Sequence, residues 1–399
     1  MTTTDAQAAA ATRYGSLFRT PEFTPLFLAT VLQATARAVS GLALGSMVYA
    51  RTGSPLLSAL AMFGPSLAQV IGATLLMSAA DRLPPRAATS GLALVLAVST
   101  CAQAIPGLPV WAVFAVLLSA GTLTSVGGGV RFGLLNEILS KESYLPGRAV
   151  FNMAAGIVQI CGFAVGGVLL TAFSPRGTLL VGAVLQLTAA VVGRFGLSRR
   201  APRAAGRPSV AATWGNNRVL WSSSPRRYIY LALWVPNGLI VGCESLFISY
   251  RPQQAGLLFA FAALGMLLGD AAVGRFVPAG WRNRLAAPLR LLLAVPYLVL
   301  ALRPDFPIVV VAVVLASAGY AASLLLQERL LAITPPEMHG HALGLHTSGM
   351  LTVQGLGAAL AGFVAQHSSP ATSMALLAAL SVAVTLALSG GLRAGTGPS

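Results

Sequence analysis

Charge is what this sequence has least of. Its 399 residues include 26 basic and 10 acidic ones, a charged share of 9%, where a soluble domain carries about 25%. That scarcity excludes a water-soluble globule: 56% of the chain is apolar and its mean hydropathy is +0.77. Such a chain needs lipid as its solvent. Cysteine is nearly missing as well. Cys101, Cys161 and Cys243 lie scattered in apolar stretches, which excludes a disulfide framework or a cysteine metal cluster. No Gly-Lys-Ser or Gly-Lys-Thr follows Gly127 to Gly129, so there is no phosphate loop. Neither a Ser, Cys and His arrangement nor paired carboxylates suggest catalysis, so the expectation is a protein that is not an enzyme and takes no cofactor. Glu337, His339 and His341 read as a solvated loop, and no metal site is expected. Residues 1–14 lack the basic-then-apolar order of a cleavable signal, which predicts a retained first span and a cytoplasmic tail.

What the chain does have is a series of apolar runs of about 20 residues, the length a helix needs to cross hydrocarbon. Proline, glycine and charge divide them into twelve expected spans: Pro25 to Ala50, Pro55 to Ala80, Ala87 to Ile105, Pro109 to Phe132, Pro146 to Phe173 and Gly177 to Phe195, then Tyr228 to Tyr250, Gln253 to Phe276, Ala287 to Leu302, Phe306 to Gln327, His341 to Ala365 and Ala371 to Leu392. Span nine is the weakest, because Pro288 and Pro296 interrupt it. The fold class expected is an all-α membrane protein with two pseudo-symmetric six-helix bundles, at 25–195 and 228–392. A tail at 1–24, a linker at 196–227 and a tail at 393–399 complete the division. Within the linker, Val210 to Trp221 suits a short interfacial helix, with a disordered linker anchored by two tryptophans as the alternative.

Orientation follows from the distribution of basic residues. Of the 26, Arg37 and Arg131 lie inside spans, four (Arg51, Arg176, Arg251 and Arg303) fall on one side, and the other 20 fall on the opposite side. That asymmetry predicts cytoplasmic termini and a cytoplasmic linker, in a plasma membrane. The net charge of +16 is spread over interhelical loops rather than one soluble face, so nucleic acid is not an expected partner. Anionic lipid headgroups are.

An internal repeat recurs at a spacing of 195 residues. Glu142 matches Glu337, Gln159 matches Gln354, Gly162 matches Gly357 and Gly167 matches Gly362, while Arg82 pairs with Arg275 after the second span of each half. Both copies keep one orientation, which indicates a parallel repeat about an axis along the membrane normal.

On these residues the chain resembles the major facilitator superfamily. Gly72, Asp81, Arg82 and Arg86 stand where that family carries a glycine, Asp-Arg and a basic cluster, although Pro84 and Pro85 replace the usual glycine and basic pair. Span five resembles the family's glycine-rich antiporter motif through Gly156, Gly162, Gly166 and Gly167, with Phe163 in place of a proline. The segment from Gln327 through Gly362 looks most like bacterial exporters of drugs and siderophores. Gly162 and Gly166 also form a small-xxx-small pair, which lets helix backbones approach closely.

A charge at membrane depth costs several kcal/mol unless paired or hydrated, so each one is a functional candidate. Arg37 lies roughly 18 Å into span one and Glu244 about 24 Å into span seven, at 1.5 Å per residue. Arg131 and Glu328 end spans four and ten. The resemblance implies that spans one, four, seven and ten line a central cavity. Thr30, Gln33, Arg37 and Ser40 recur at helical spacing, as do Trp234, Asn237, Val241 and Glu244. The expected substrate and proton pathway is therefore Gln33, Arg37, Asn237 and Glu244, with Arg37 and Glu244 paired across the cavity. A cytoplasmic gate is expected at Asp81, Arg82, Arg131 and Glu328, with snorkelling of Arg131 and Glu328 to the headgroups as the alternative.

Together these features predict a secondary active transporter that exchanges protons for a small hydrophobic or amphipathic compound during efflux, with a single chain sufficient. Uptake of a small solute and a non-transporting receptor or scaffold of the same fold are the alternatives.

Overall fold

A computed structural model describes residues 15–75, 83–201, 210–335 and 338–394. The chain runs through helices α1 (Phe23–Thr52), α2 (Pro55–Leu75), α3 (Pro85–Gln103), α4 (Val110–Ile138), α5 (Lys141–Ala172) and α6 (Pro175–Gly196). It continues through α7 (Val210–Ser222), α8 (Ser224–Ser245), α9 (Phe247–Tyr250), α10 (Ala255–Phe276), α11 (Ala279–Ala294), α12 (Phe306–Ala318), α13 (Ala322–Ala332), α14 (His339–His367) and α15 (Pro370–Ala394).

Local chemistry sets the helix ends. Ser140 and Ser174 cap α5 and α6 by accepting hydrogen bonds from the backbone N–H groups of Ser143 and Gly177, and so satisfy donors that the first turn leaves free. Proline opens α3 and α6, where its missing N–H costs nothing. Gly53, with φ at 64°, closes α1 and donates its N–H to the Tyr49 carbonyl, a left-handed position that glycine adopts without strain.

Eleven helices among the described residues are long and apolar enough to span a membrane. The chain is therefore a multi-pass membrane protein. Span five falls in α5, which has 32 residues but opens with Lys141, Glu142 and Arg148, and the stretch of it apolar enough is Cys161–Ala172. Span nine takes the irregular form its prolines foretold: α11 contains Pro288 and passes into a 3₁₀ helix, Val295–Leu302, with Pro296 in its first turn. Span ten is also broken, by a 3₁₀ turn at Gly319–Ala321. A β-carbon on Gly319 would lie 2.6 Å from the Leu289 carbonyl oxygen, so only glycine lets α11 approach there.

Packing defines two sets of helices. In the first, α1 packs on α2, α5 and α6, α3 on α4 and α6, and α2 on α4; in the second, α8 packs on α14 and α15, and α10 on α12. Two seams join the sets, α2 against α14 and α5 against α10. The expected 195-residue repeat is visible in how these seams are built. Gly162 abuts Ala38 of α1 and Gly357 abuts Gly238 of α8, each within its own set, whereas Gly167 meets Gly256 of α10 and Gly362 meets Leu56 of α2, each across the sets.

The apolar core shows where the sets are fused. One large cluster combines Leu42, Ala59, Met62 and Phe63 of the first set with Leu239, Phe247, Leu258 and Met374 of the second. It lies toward the Arg51 and Arg303 end of the bundle, which we call the far face. At the opposite end, the basic face, each set keeps its own cluster: Phe23, Leu26, Leu135 and Phe151 in the first, and Tyr230, Trp234, Leu326 and Leu330 in the second. Hydrogen bonds across the sets are at the far face too, from the Ser54 hydroxyl to Gln366 (2.7 Å) and from the Tyr49 hydroxyl to the Ser249 carbonyl (3.4 Å). Among the described residues the sets are thus locked at one end and keep separate apolar cores at the other.

Candidate functional site

Among the described residues, two cavities that carry polar side chains lie in the bundle. The larger, of about 380 Å³, sits between the sets: Phe63 and Phe163 of the first set face Asn237, Glu244, Phe259, Asp270, Tyr320, His346 and Gln354 of the second. Phe163 stacks on Phe259 with ring centroids 5.3 Å apart, which gives this compartment an aromatic wall. The smaller, about 100 Å³, lies among α1 to α4 and is lined by Thr30, Gln33, Arg37, Gln69, Thr124 and Arg131, among others.

The register of α8 against α14 positions the polar groups of the larger cavity. Gly238 and Gly242 let α14 come close, at Val353 and Gly357. Along the same contact Gln354 donates to the Asn237 side chain (3.1 Å), Trp234 to the His346 carbonyl (3.0 Å) and Tyr230 to the Ala342 carbonyl (3.3 Å). Trp221 of α7 stacks on Trp234 with centroids 5.7 Å apart, so the helix of the linker is anchored to this wall.

Glu244 is 7% exposed, and its Oε1 is buried without a hydrogen-bond partner. It interacts electrostatically with the hydroxyls of Tyr297 and Tyr320, the second of which is presented by the 3₁₀ turn in span ten. The Glu244 carboxyl is thus enclosed with two phenol hydroxyls, and among the described residues it forms no ion pair.

The expected pairing of Arg37 with Glu244 is not formed. Arg37 lines the smaller cavity, exposed to it, and the group within electrostatic reach of it is Arg131. The register between α1 and α8 places the two charges in different compartments. Gln33 accompanies Arg37, and Asn237 accompanies Glu244. Of the expected gate, Asp81 and Arg82 lie outside the described residues. Arg131 rests its guanidinium 4.6 Å from the centre of the Phe132 ring, and among the described residues it forms no ion pair with Glu328, which is on an exposed face of α13. Of the glycine motif, Gly162 and Gly166 pack on α1 and Gly167 on α10; the surroundings of Gly156 are outside the described side chains.

Three ionisable residues escaped the sequence reading. Asp270, 15 residues into α10 by position, and His346 both line the larger cavity, and the rule that a charge within an apolar run is a candidate would have found Asp270. Arg290 was counted among the loop residues, yet it is 2% exposed and its terminal nitrogens have no partner among the described residues.

Comparison with known proteins agrees with this architecture. A sequence profile of the Major Facilitator Superfamily matches residues 26–252. The chain belongs to that superfamily, and its fold is that of a transporter. No curated protein matches it in sequence. Among solved structures it is similar to the nucleoside transporter NupG, at 14% identity and a TM-score of 0.70 over 93% of this chain and 99% of that one. It is also similar to a POT family transporter in complex with 5-aminolevulinic acid, at 11% identity and a TM-score of 0.71 over 94% and 96%. A third is a bacterial homologue of the human lysosomal transporter Spinster in an inward-facing, unoccupied conformation, at 15% identity and a TM-score of 0.65 over 94% and 92%.

Proposed function

We propose that the protein is a secondary active transporter of twelve spans in two six-helix bundles, working by alternating access and coupling proton entry to efflux of a small hydrophobic or amphipathic compound. The observation that carries this reading is the one-sided closure of the bundle: an apolar plug and two hydrogen bonds join the sets at the far face, while at the basic face their cores are separate. Rocking the sets about the α2–α14 and α5–α10 seams would reverse which end is closed. The basic face is the cytoplasmic one by the excess of arginine there, which makes the conformation inward-open in a plasma membrane, with both termini inside.

Glu244 is the proton carrier in this scheme, with Asp270 nearer the basic face as the group that exchanges with water. Aromatic residues Phe63, Phe163 and Phe259 supply the apolar contacts for the compound. Arg131 and Glu328, with Asp81 and Arg82, gate the basic face when the sets rock together there. Anionic lipids are the lasting partners of the basic face: a groove of about 730 Å³ between α3 and α6 is lined by Arg86, Arg194 and Arg199 beside the exposed Leu94, Leu187 and Phe195.

The test is reconstitution of the full chain in vesicles with an imposed pH gradient, screened against a panel of aromatic and amphipathic compounds. Compound movement that collapses with the gradient, together with thiol labelling that switches between the two faces, is the expected result. Labelling fixed at one face under every condition would instead mark a scaffold, and flux driven only inward would mark an uptake carrier.

A further inference from the structure

We propose that Arg37 and Arg131 together form a seat for an anionic group, and that the compound this transporter carries is an organic anion whose carboxylate or sulfonate docks there. This rests on the transport reading above and adds the charge of the solute. Three observations carry it. First, the two guanidiniums line one cavity and lie within electrostatic reach of each other. Like charges facing one cavity repel, so the arrangement favours the entry of something negative. Second, neither arginine has an ion-pair partner among the described residues, whose two ion pairs both belong to Arg200, and the Nε of Arg131 is buried without a hydrogen-bond acceptor. Among the described residues the lining contributes no carboxylate, and its side-chain amides, Gln33 and Gln69, are neutral groups that can donate.

Third, the size is right for a group and too small for a whole solute. The cavity measures about 100 Å³, against roughly 30 Å³ for one water in the liquid. A carboxylate or sulfonate fits, with guanidinium forks suited to its planar or trigonal oxygens, and the remainder of the molecule must lie outside. Gly128 forms part of the same lining and has open space where a side chain would stand. The carboxylates of the pathway, Glu244 and Asp270, line the other cavity. The structure therefore separates an anion-accepting wall from a proton-carrying one.

The test is equilibrium binding to the purified full chain in detergent, followed by tryptophan fluorescence and thermal unfolding, with three probes: 2-naphthalenesulfonate, the uncharged 2-naphthalenemethanol and inorganic sulfate. The expected order is naphthalenesulfonate tightest by about tenfold or more over each of the others, over the alcohol because a charge-assisted hydrogen bond is worth that much and over sulfate because the ring buries apolar surface. Arg37→Gln and Arg131→Gln should each weaken naphthalenesulfonate about tenfold, and Arg51→Gln, at the far face, should leave it unchanged. If either glutamine variant fails to fold, Arg37→Lys and Arg131→Lys decide: they keep the charge and lose the fork, so severalfold weaker binding is expected and wild-type affinity overturns the seat. Equal binding of the uncharged probe also overturns it, and sulfate binding as tightly as naphthalenesulfonate overturns the organic solute in favour of a free inorganic anion. Because binding is read without flux, a seat that holds in a protein showing no transport would refute the transport reading alone.

Discussion

Gly167 and Gly256 occupy each other's missing side chains. A β-carbon on Gly256 would stand 2.7 Å from the Gly167 Cα, closer than real atoms pack, and one on Gly167 would meet the Gly256 carbonyl. Backbone thus touches backbone where α5 crosses α10, near the far face. The repeat partner of Gly167, Gly362, makes the related contact with Leu56 of α2, at 2.6 Å to its Cα, so both seams of the bundle turn on a glycine.

Replacing Gly167 with alanine should therefore act on conformation before it acts on folding. The added methyl has nowhere to go in the far-closed state, and overpacking of this kind costs about 1–3 kcal/mol. That is a population shift of about five- to 150-fold toward the state in which the seam opens. The measurement is thiol labelling of Ser249→Cys at the far face, which should speed up in the Gly167→Ala background. Gly344→Ala, a glycine with open space around it, is the control and should label like wild type. Equal labelling in all three would show that the seam does not control access.

Glu244→Gln should separate coupling from movement. The amide keeps the shape and cannot release a proton, so gradient-driven efflux should fall at least about tenfold, as expected for loss of a general proton carrier. Solute exchange without a gradient should persist. Tyr320→Phe, which removes a hydroxyl facing Glu244, should lower the coupled rate by a smaller factor without abolishing it. If gradient-driven transport survives Glu244→Gln intact, the proton uses another route, for which Asp270 is the next residue to replace.

How much of this was legible in sequence depends on range. Eleven spans were readable because each apolar run carries its own signal, and the prolines at 288 and 296 announced the break into a 3₁₀ helix at Val295–Leu302. The repeat of Gly162 and Gly167 in Gly357 and Gly362 was readable too, but not what each faces. That Gly162 meets α1 and Gly167 meets α10 depends on the rotation of α5, which periodicity does not set in a helix with small residues on several sides. The pairing of Arg37 with Glu244 failed for a related reason: depth along each helix was inferable, whereas the neighbour across a bundle depends on register between distant segments. Arg290 was counted with the basic side although it falls within span nine; the helix continues through Pro288 and carries the arginine into the core, a burial set by packing between distant segments.

The linker start is held by a charge cluster that pH should loosen. Arg200 grips Glu22 through two nitrogens, at 2.7 and 3.2 Å, and reaches Glu137 at 3.4 Å. Glu22 caps α1 with a left-handed φ of 69°, an uncommon conformation for a residue with a side chain. Burial raises the tendency of its carboxyl to keep a proton, but hydrogen bonds from Arg200 and Ser198 and the charge of Arg200 outweigh it and hold the group below 4.5. A carboxyl with a lowered value in the folded state stabilises it fully above its unfolded value, and that contribution is lost as pH falls through the folded value. Glu22→Gln should cost about 1 kcal/mol at pH 7, and the gap to wild type in thermal unfolding should close as pH falls below 4.5. A gap that stays constant across that range would mean the pair contributes no stability.

Anionic lipid should bind the groove between α3 and α6 and raise stability through it. Arg194 and Arg199 are exposed there, Arg86 has a buried Nε without an acceptor, and Phe195 is 81% exposed beside them. Positive heads above an apolar wall match a phosphate group with acyl chains below it, at about 1 kcal/mol for each basic residue near an anionic surface. Phosphatidylglycerol added to the detergent-purified chain should therefore raise the unfolding midpoint more than phosphatidylcholine does. The double variant Arg194→Gln, Arg199→Gln should lose most of that difference while unfolding like wild type in detergent alone. Native mass spectrometry supplies the second reading, because retained phosphatidylglycerol should drop in the variant. If both lipids protect equally, the stabilisation comes from acyl chains around the whole bundle and the arginines of this groove are merely solvated at the headgroup level.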